Sequence, residues 1–375
     1  MTLRRLVWRS DLAVGAVVGL LLLALSVAIG SDAIDRSRAR QRTAGGEAVL
    51  FLRRDASDRD QLFTVGPDGV AVALTDEPLG VWDYAVGPTG GVIALSTLRD
   101  GGGSRIVTLT PDGQRRVLLE CPDAQCEGMA WAPDGLTMVF ERRSTATDAG
   151  PAGPPKLWWL DLSSGETVAL FADTQRLGFG ARFSPDGRLL AYLNPDDGGV
   201  RIYALDSGAE TVLDSQMGEP VGWRHDSRAV ALTNVVERGE QFFVHTLRVD
   251  LDAQGAPLAP VDISARDDVD DSQPAWSPDG RQIALARRVR SGAVASPGRG
   301  IWLLSPDGSD ARPLASEPTV HFAAPAWSAD GRTILCQRVD ASIPGARPAI
   351  WRIEVATGAA REVSPNGFRP GWWTP

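Results

Sequence analysis

From Glu47 onward the chain alternates between short apolar runs and clusters of Pro, Gly, Asp and Ser. The runs are too short to bury one face of a helix. Within them, larger apolar residues alternate with small or polar ones, as in Ile283-Ala284-Leu285-Ala286 and Val230-Ala231-Leu232. A period of two puts the larger residues on one face of a strand. Residues 47–375 are therefore expected to be all-β. Residues 12–31 break the pattern, running without a charge between Asp11 and Asp32. At ~1.5 Å per residue they would extend roughly 30 Å, the thickness of a bilayer core. They are expected to form a transmembrane signal-anchor helix between a short tail, 1–11, and a polar stalk, 32–46. Cleavage of a signal peptide at the small-x-small match Ser26-Val27-Ala28 is the alternative.

One strand–turn–strand unit recurs. In Trp276-Ser277-Pro278-Asp279-Gly280, Trp276 ends a strand, Pro278 presets φ, and Gly280 takes positive φ without a Cβ clash. Close copies lie at Trp131-Ala132-Pro133-Asp134-Gly135, Phe183-Ser184-Pro185-Asp186-Gly187 and Trp327-Ser328-Ala329-Asp330-Gly331. Degenerate copies start at Val86 and Trp223. The aligned residues are spaced by 45, 52, 40, 53 and 51, the length of a four-stranded propeller blade with insertions. The ends complement each other. Residues 47–54 and 62–69 read as the second and third strands of a blade that lacks a first. Arg369-Pro370-Gly371-Trp372 reads as the missing first strand. Pairing the two would close the ring and protect both sheet edges. The count is seven four-stranded antiparallel blades, or six if the copy at 86–90 is not a blade.

The units resemble the TolB-type propeller repeats of bacterial envelope proteins, through Pro-x-Trp-Ser-Pro-Asp-Gly followed by x-x-Ile-Ala-Leu. The resemblance covers nearly all of 47–375. It implies a β-propeller of a kind used in periplasmic scaffolds, in prolyl-oligopeptidase-type peptidases and in some carbohydrate-active lyases.

Charge narrows the partners. The chain's formal net charge is −9, with seven Arg and three acids in residues 1–46; the remainder holds 31 basic and 44 acidic residues, or −13. Nucleic acid, which needs a basic patch, is not an expected partner. Asp32 and Asp35 lie just after the apolar run and Arg9 just before it, which favours a cytoplasmic N-terminus and an extracytoplasmic propeller. A small Cys121–Cys126 disulfide loop would suit that compartment, while Cys336 reads as a buried small hydrophobe.

The Pro-Asp-Gly aspartates are explained by turn chemistry and the recurrent tryptophans by packing. Function is instead expected where the repeats differ, on the face that carries the long insertions 143–155, 288–300 and 339–348. The binding candidates there are Asp267, Asp268, Asp270 and Asp271 in a loop before the Trp276 unit, Arg288, Arg290 and Arg299 around an insertion, and His321. The four aspartates are also a weak Ca²⁺ candidate, without EF-hand order; no other metal and no cofactor are expected. No G-x-S-x-G, H-E-x-x-H or P-loop occurs, and the chain stops at its closing strand. The expectation is a non-enzymatic scaffold at the cell membrane, single-pass, that binds an envelope protein or cell-wall polymer. The alternatives are a polysaccharide lyase-like enzyme at the tunnel mouth and, for location, secretion or a periplasmic site after cleavage.

Overall fold

The computed structural model describes residues 46–146, 152–196, 198–290 and 298–375. The tail, apolar run and stalk expected over 1–46 lie, but for Gly46, outside the described residues. Among the described residues, no helix is long and apolar enough to cross a membrane. The described chain is all-β, arranged as a propeller of antiparallel sheets.

Five sheets are separate and four-stranded. The first pairs Phe368–Trp373, Ala48–Arg54, Asp60–Val65 and Ala71–Ala73 in that order. The C-terminal strand thus completes the N-terminal sheet, with Ala48 opposite Trp373 and Leu50 opposite Gly371. The others begin with inner strands Val81–Val86, Ala124–Trp131, Phe179–Phe183 and Val320–Trp327. The expectation of seven separate blades is corrected. Two repeats, whose inner strands are Gly222–Trp223 and Val269–Trp276, share one eight-stranded sheet. The cause is local. Ala229–Arg238 and Gln241–Asp250 form a hairpin of two ten-residue strands, which brings Val244 beside Asp270 in one parallel pairing.

The repeated turn holds itself together. Ser277 Oγ donates to Asp279 Oδ1 at 2.7 Å, and the Arg281 amide donates to the same oxygen at 3.1 Å. Ser184 and Asp186 repeat the first bond at 2.6 Å, Ser328 and Asp330 at 2.7 Å. The Ser277 hydroxyl, the Arg281 amide and the Arg281 charge keep the Asp279 carboxyl below its ordinary range.

The tryptophans join neighbouring repeats. The indole N–H of Trp131 donates to the carbonyl of Ala85, Trp223 to Arg182, Trp327 to Ala275 and Trp372 to Ala326, at 2.9–3.1 Å. Each bond ties an aromatic to the residue preceding the equivalent position one repeat earlier. The apolar core lies in the same seams: Leu50, Leu52 and Leu62 of the first sheet pack with Ile93 and Leu95 of the second. Cys336 packs into another seam with Ile301, Leu303 and Ile334.

Candidate functional site

The inner strands carry a bulge three residues before the aromatic position. Gly128, Gly180, Gln273, Ala324 and Arg369 all adopt φ of +52 to +63° there, and the ladder register shifts at each. Glycine takes this conformation freely; a residue with a Cβ costs about 1 kcal/mol or more. The exposed amides are satisfied across the ring. Gly128 N–H donates to Asp83 at 2.8 Å and Gly180 N–H to Glu141 at 2.8 Å. Gln273 N–H donates to Glu219 at 2.9 Å, and Ala324 N–H to the Gln273 side-chain oxygen at 2.7 Å. A Cβ at Gly128 would run into the Glu141 carboxylate.

The bulges bring charges into the central channel. Arg369 forms an ion pair with Asp83 across the ring closure. Trp82, half exposed, donates its indole N–H to Glu127, and Tyr84 donates to the Arg369 carbonyl. Burial raises the Glu141 carboxyl, and Glu127 and Asp83 push it further up, outweighing the Gly180 N–H. Arg182 faces the same group. It retains exposed surface, yet surrounding protein desolvates its guanidinium and lowers its pKa against the pull of Asp83 and Glu141. Both observations fit a side chain that projects into the narrow space inside the ring. Sequence reasoning missed Arg182, though a signal was present. The residue before the aligned position, Val86 in one repeat and aromatic in the rest, is Ala85, Ala130, Gly222, Ala275, Ala326 or Gly371 in six repeats and Arg182 in one.

The predicted candidates divide. Asp270 and Asp271 belong to the strand Val269–Trp276, not to a loop. Asp271 is buried, accepting from Arg287 at 2.6 and 2.8 Å, from Ser264 at 2.8 Å and from Thr246 at 2.9 Å. It holds a seam together and is unavailable to ligand. Asp267, with its side chain 78% exposed, pairs with Arg238, and Asp268 with Arg266. The four carboxylates thus point to separate partners. Among the described residues, no three His, Cys, Asp or Glu form a metal-binding group, and the Ca²⁺ candidate is corrected accordingly. The rest come together at the mouth. Arg290 contacts Asp270 at 3.4 Å and lies over the Phe243 ring. Arg299 is bridged to His321 through the backbone, and its guanidinium donates to the Asp270 carbonyl and Ser272 Oγ. Partial burial lowers the His321 pKa, and Arg288 and Arg299 lower it further.

His245 is buried, with Nδ1 2.7 Å from Asp262, and His225 sits in a turn between Arg224 and Ala229. Cys121 and Cys126 form a disulfide. An open groove lined by Thr137, Trp159 and Val168 lies at an outer sheet edge, away from these charges.

No protein-family profile matches the sequence, and no curated protein matches it. Solved structures do. TolB from Acinetobacter baumannii matches over 87% of this chain and 66% of its own, at 14% identity and a TM-score of 0.51. A Mycobacterium tuberculosis puromycin-hydrolyzing peptidase matches over 88% of this chain and 55% of its own, at 15% identity and a TM-score of 0.64. Oligogalacturonate lyase from Vibrio parahaemolyticus matches over 84% of both chains, at 14% identity and a TM-score of 0.56. The chain spans just under two thirds of the TolB and about half of the peptidase. At these identities the likeness is one of fold. The expectation of a non-enzymatic chain is corrected: a peptidase and a lyase share the fold, so missing sequence motifs do not exclude catalysis.

Proposed function

We infer that this chain is a recognition propeller of the cell envelope, binding another protein across the channel mouth. Each half of the eight-stranded sheet is read as one blade, making a seven-bladed ring. Residues 12–31 hold the ring at the membrane with the propeller outside the cytoplasm, a placement that the Cys121–Cys126 disulfide supports. The observation that carries the reading is Arg182. An arginine replaces a uniformly small position and projects among Asp83, Glu141 and Arg369, where turn and packing chemistry do not require it. Beside the mouth, the long hairpin presents Phe242 with 62% exposure, an apolar anchor of the kind found at protein interfaces. A photo-crosslinker at Phe242 in cells tests this. One envelope protein should be captured reproducibly, and Arg182→Ala should reduce its capture without changing the melting temperature. Capture of only abundant bystander proteins would sink the reading.

Catalysis at the same mouth is the second reading, favoured by His321. An imidazole whose pKa is lowered by partial burial and by Arg288 and Arg299 suits proton abstraction beside an anionic group. The acid test is release of unsaturated product from uronic-acid oligomers, abolished by His321→Ala.

A further inference from the structure

The charged side chains around the mouth are mostly neutralised. Arg290 pairs with Asp270, and Arg338 with Glu317. Arg288 and Arg299 differ. Among the described residues, neither has a carboxylate within salt-bridge distance. Arg288 Nε is buried without a hydrogen-bond partner. Among the described residues, the Arg299 guanidinium donates to neutral oxygens, the Asp270 carbonyl at 3.1 Å and Ser272 Oγ at 3.3 Å. Three acids attract Arg299 from further away, and each is already engaged: Asp270 by Arg290, Glu219 by Thr233 Oγ1 and the Gln273 amide, and Asp271 by Arg287.

This arrangement is pinned. The Arg299 amide donates to the Val320 carbonyl, and its own carbonyl accepts from Phe322, both at 2.9 Å. His321 lies between those residues on the inner strand. Arg288 sits on the strand Ile283–Val289, opposite Asp270. The backbones carrying Arg299 and His321 are thus tied together, and Arg288 lies close enough to repel both, in a propeller that is acidic overall. Asp270, opposite Arg288, is shared with Arg290, so these like charges lack a counter-charge of their own, which is unfavourable until an anion arrives. Guanidinium groups match the planar fork of a carboxylate.

We propose that Arg288, Arg299 and His321 form a carboxylate-receiving subsite at the channel mouth, filled by an acidic group on the partner polypeptide. The group is an Asp or Glu side chain or a C-terminal carboxylate. The proposal rests on the protein-recognition reading and gives that partner its chemistry.

Fluorescence anisotropy with the full-length chain tests it. The probes are labelled hexapeptides of Gly and Ser carrying two internal Glu and a C-terminal amide, the same peptide with Gln for Glu, and a Gly-Ser peptide ending in a free carboxylate. Binding of the Glu probe assigns the side-chain source, and binding of the free-acid probe the terminal source. Either should exceed the Gln amide probe by about tenfold or more. Arg288→Gln and Arg299→Gln should each remove about tenfold of the affinity, and Arg288→Lys should restore part of it. Raising salt should weaken binding. Equal binding of all probes, no binding of any, or indifference to both Gln variants overturns the subsite. So does Arg288-dependent binding of a uronic-acid oligomer without binding of the acidic peptides. Crosslinking at Phe242 separates the two failures. If the partner is still captured by Arg288→Gln/Arg299→Gln as by the parent chain, the subsite falls and the recognition face stands.

Discussion

Arg287 and Arg288 are consecutive on one strand and have opposite fates. The side chain of Arg287 is wholly buried and bonded twice to Asp271. Arg288 projects from the other face toward the mouth and has no counter-ion among the described residues. Asp270 and Asp271 divide similarly, the first at the mouth and the second in the seam. Strand alternation sends neighbouring residues to opposite faces, so a run of charges in the sequence is split between structure and surface. Charges in the seam hold the ring; Arg288 and Arg299, left without a salt-bridge partner among the described residues, can meet something else.

The largest test of that contrast is Asp271→Ala. It leaves Arg287 buried and unpaired and should cost about 3–5 kcal/mol in urea unfolding, whereas Arg288→Gln should stay within about 0.5 kcal/mol. Equal costs would remove the distinction. Replacing Cys121 and Cys126 with Ala should cost about 2 kcal/mol, as expected for a short closed loop. Reductant should then no longer affect stability. A smaller effect compares two seam tryptophans. Trp327→Phe removes the bond to the Ala275 carbonyl and should cost about 1 kcal/mol. Trp276 has a buried indole N–H without a partner, so Trp276→Phe should cost less. A larger loss there would undo the clamp as an explanation of the repeated tryptophan.

The smallest expected effect lies in the channel. Burial, then Glu127 and Asp83, raise the Glu141 carboxyl above its ordinary 4.5. The folded chain therefore holds that proton more tightly than the unfolded chain. Glu141's contribution is fully present below about 4.5 and is lost as pH rises through the raised folded value. Glu141→Gln should flatten stability against pH in that window. An unchanged profile would mean that another group produces the slope.

Much of the ring was legible because it is local chemistry repeated. Ser-Pro-Asp-Gly closes its own turn, period-two apolar runs make strands, and Pro370-Gly371-Trp372 matches Pro274-Ala275-Trp276 closely enough to identify the closing strand. The bonded Cys pair was also within reach, since only four residues separate its members. The site was less legible. Asp267, Asp268, Asp270 and Asp271 look like one cluster in the sequence, but they face a surface, a mouth and a seam. Arg182 was visible only as an exception to a small residue, and its acidic neighbours come from repeats far apart along the chain. Fusion of two repeats into one sheet depended on the length of a hairpin and on what lay beside its strand. The sequence by itself determined the repeated unit, its turns and the closure of the ring, because those follow from short-range backbone preferences and side-chain period. Only the tertiary structure decided which charges are neutralised, because pairing depends on residues that the ring brings together from distant repeats.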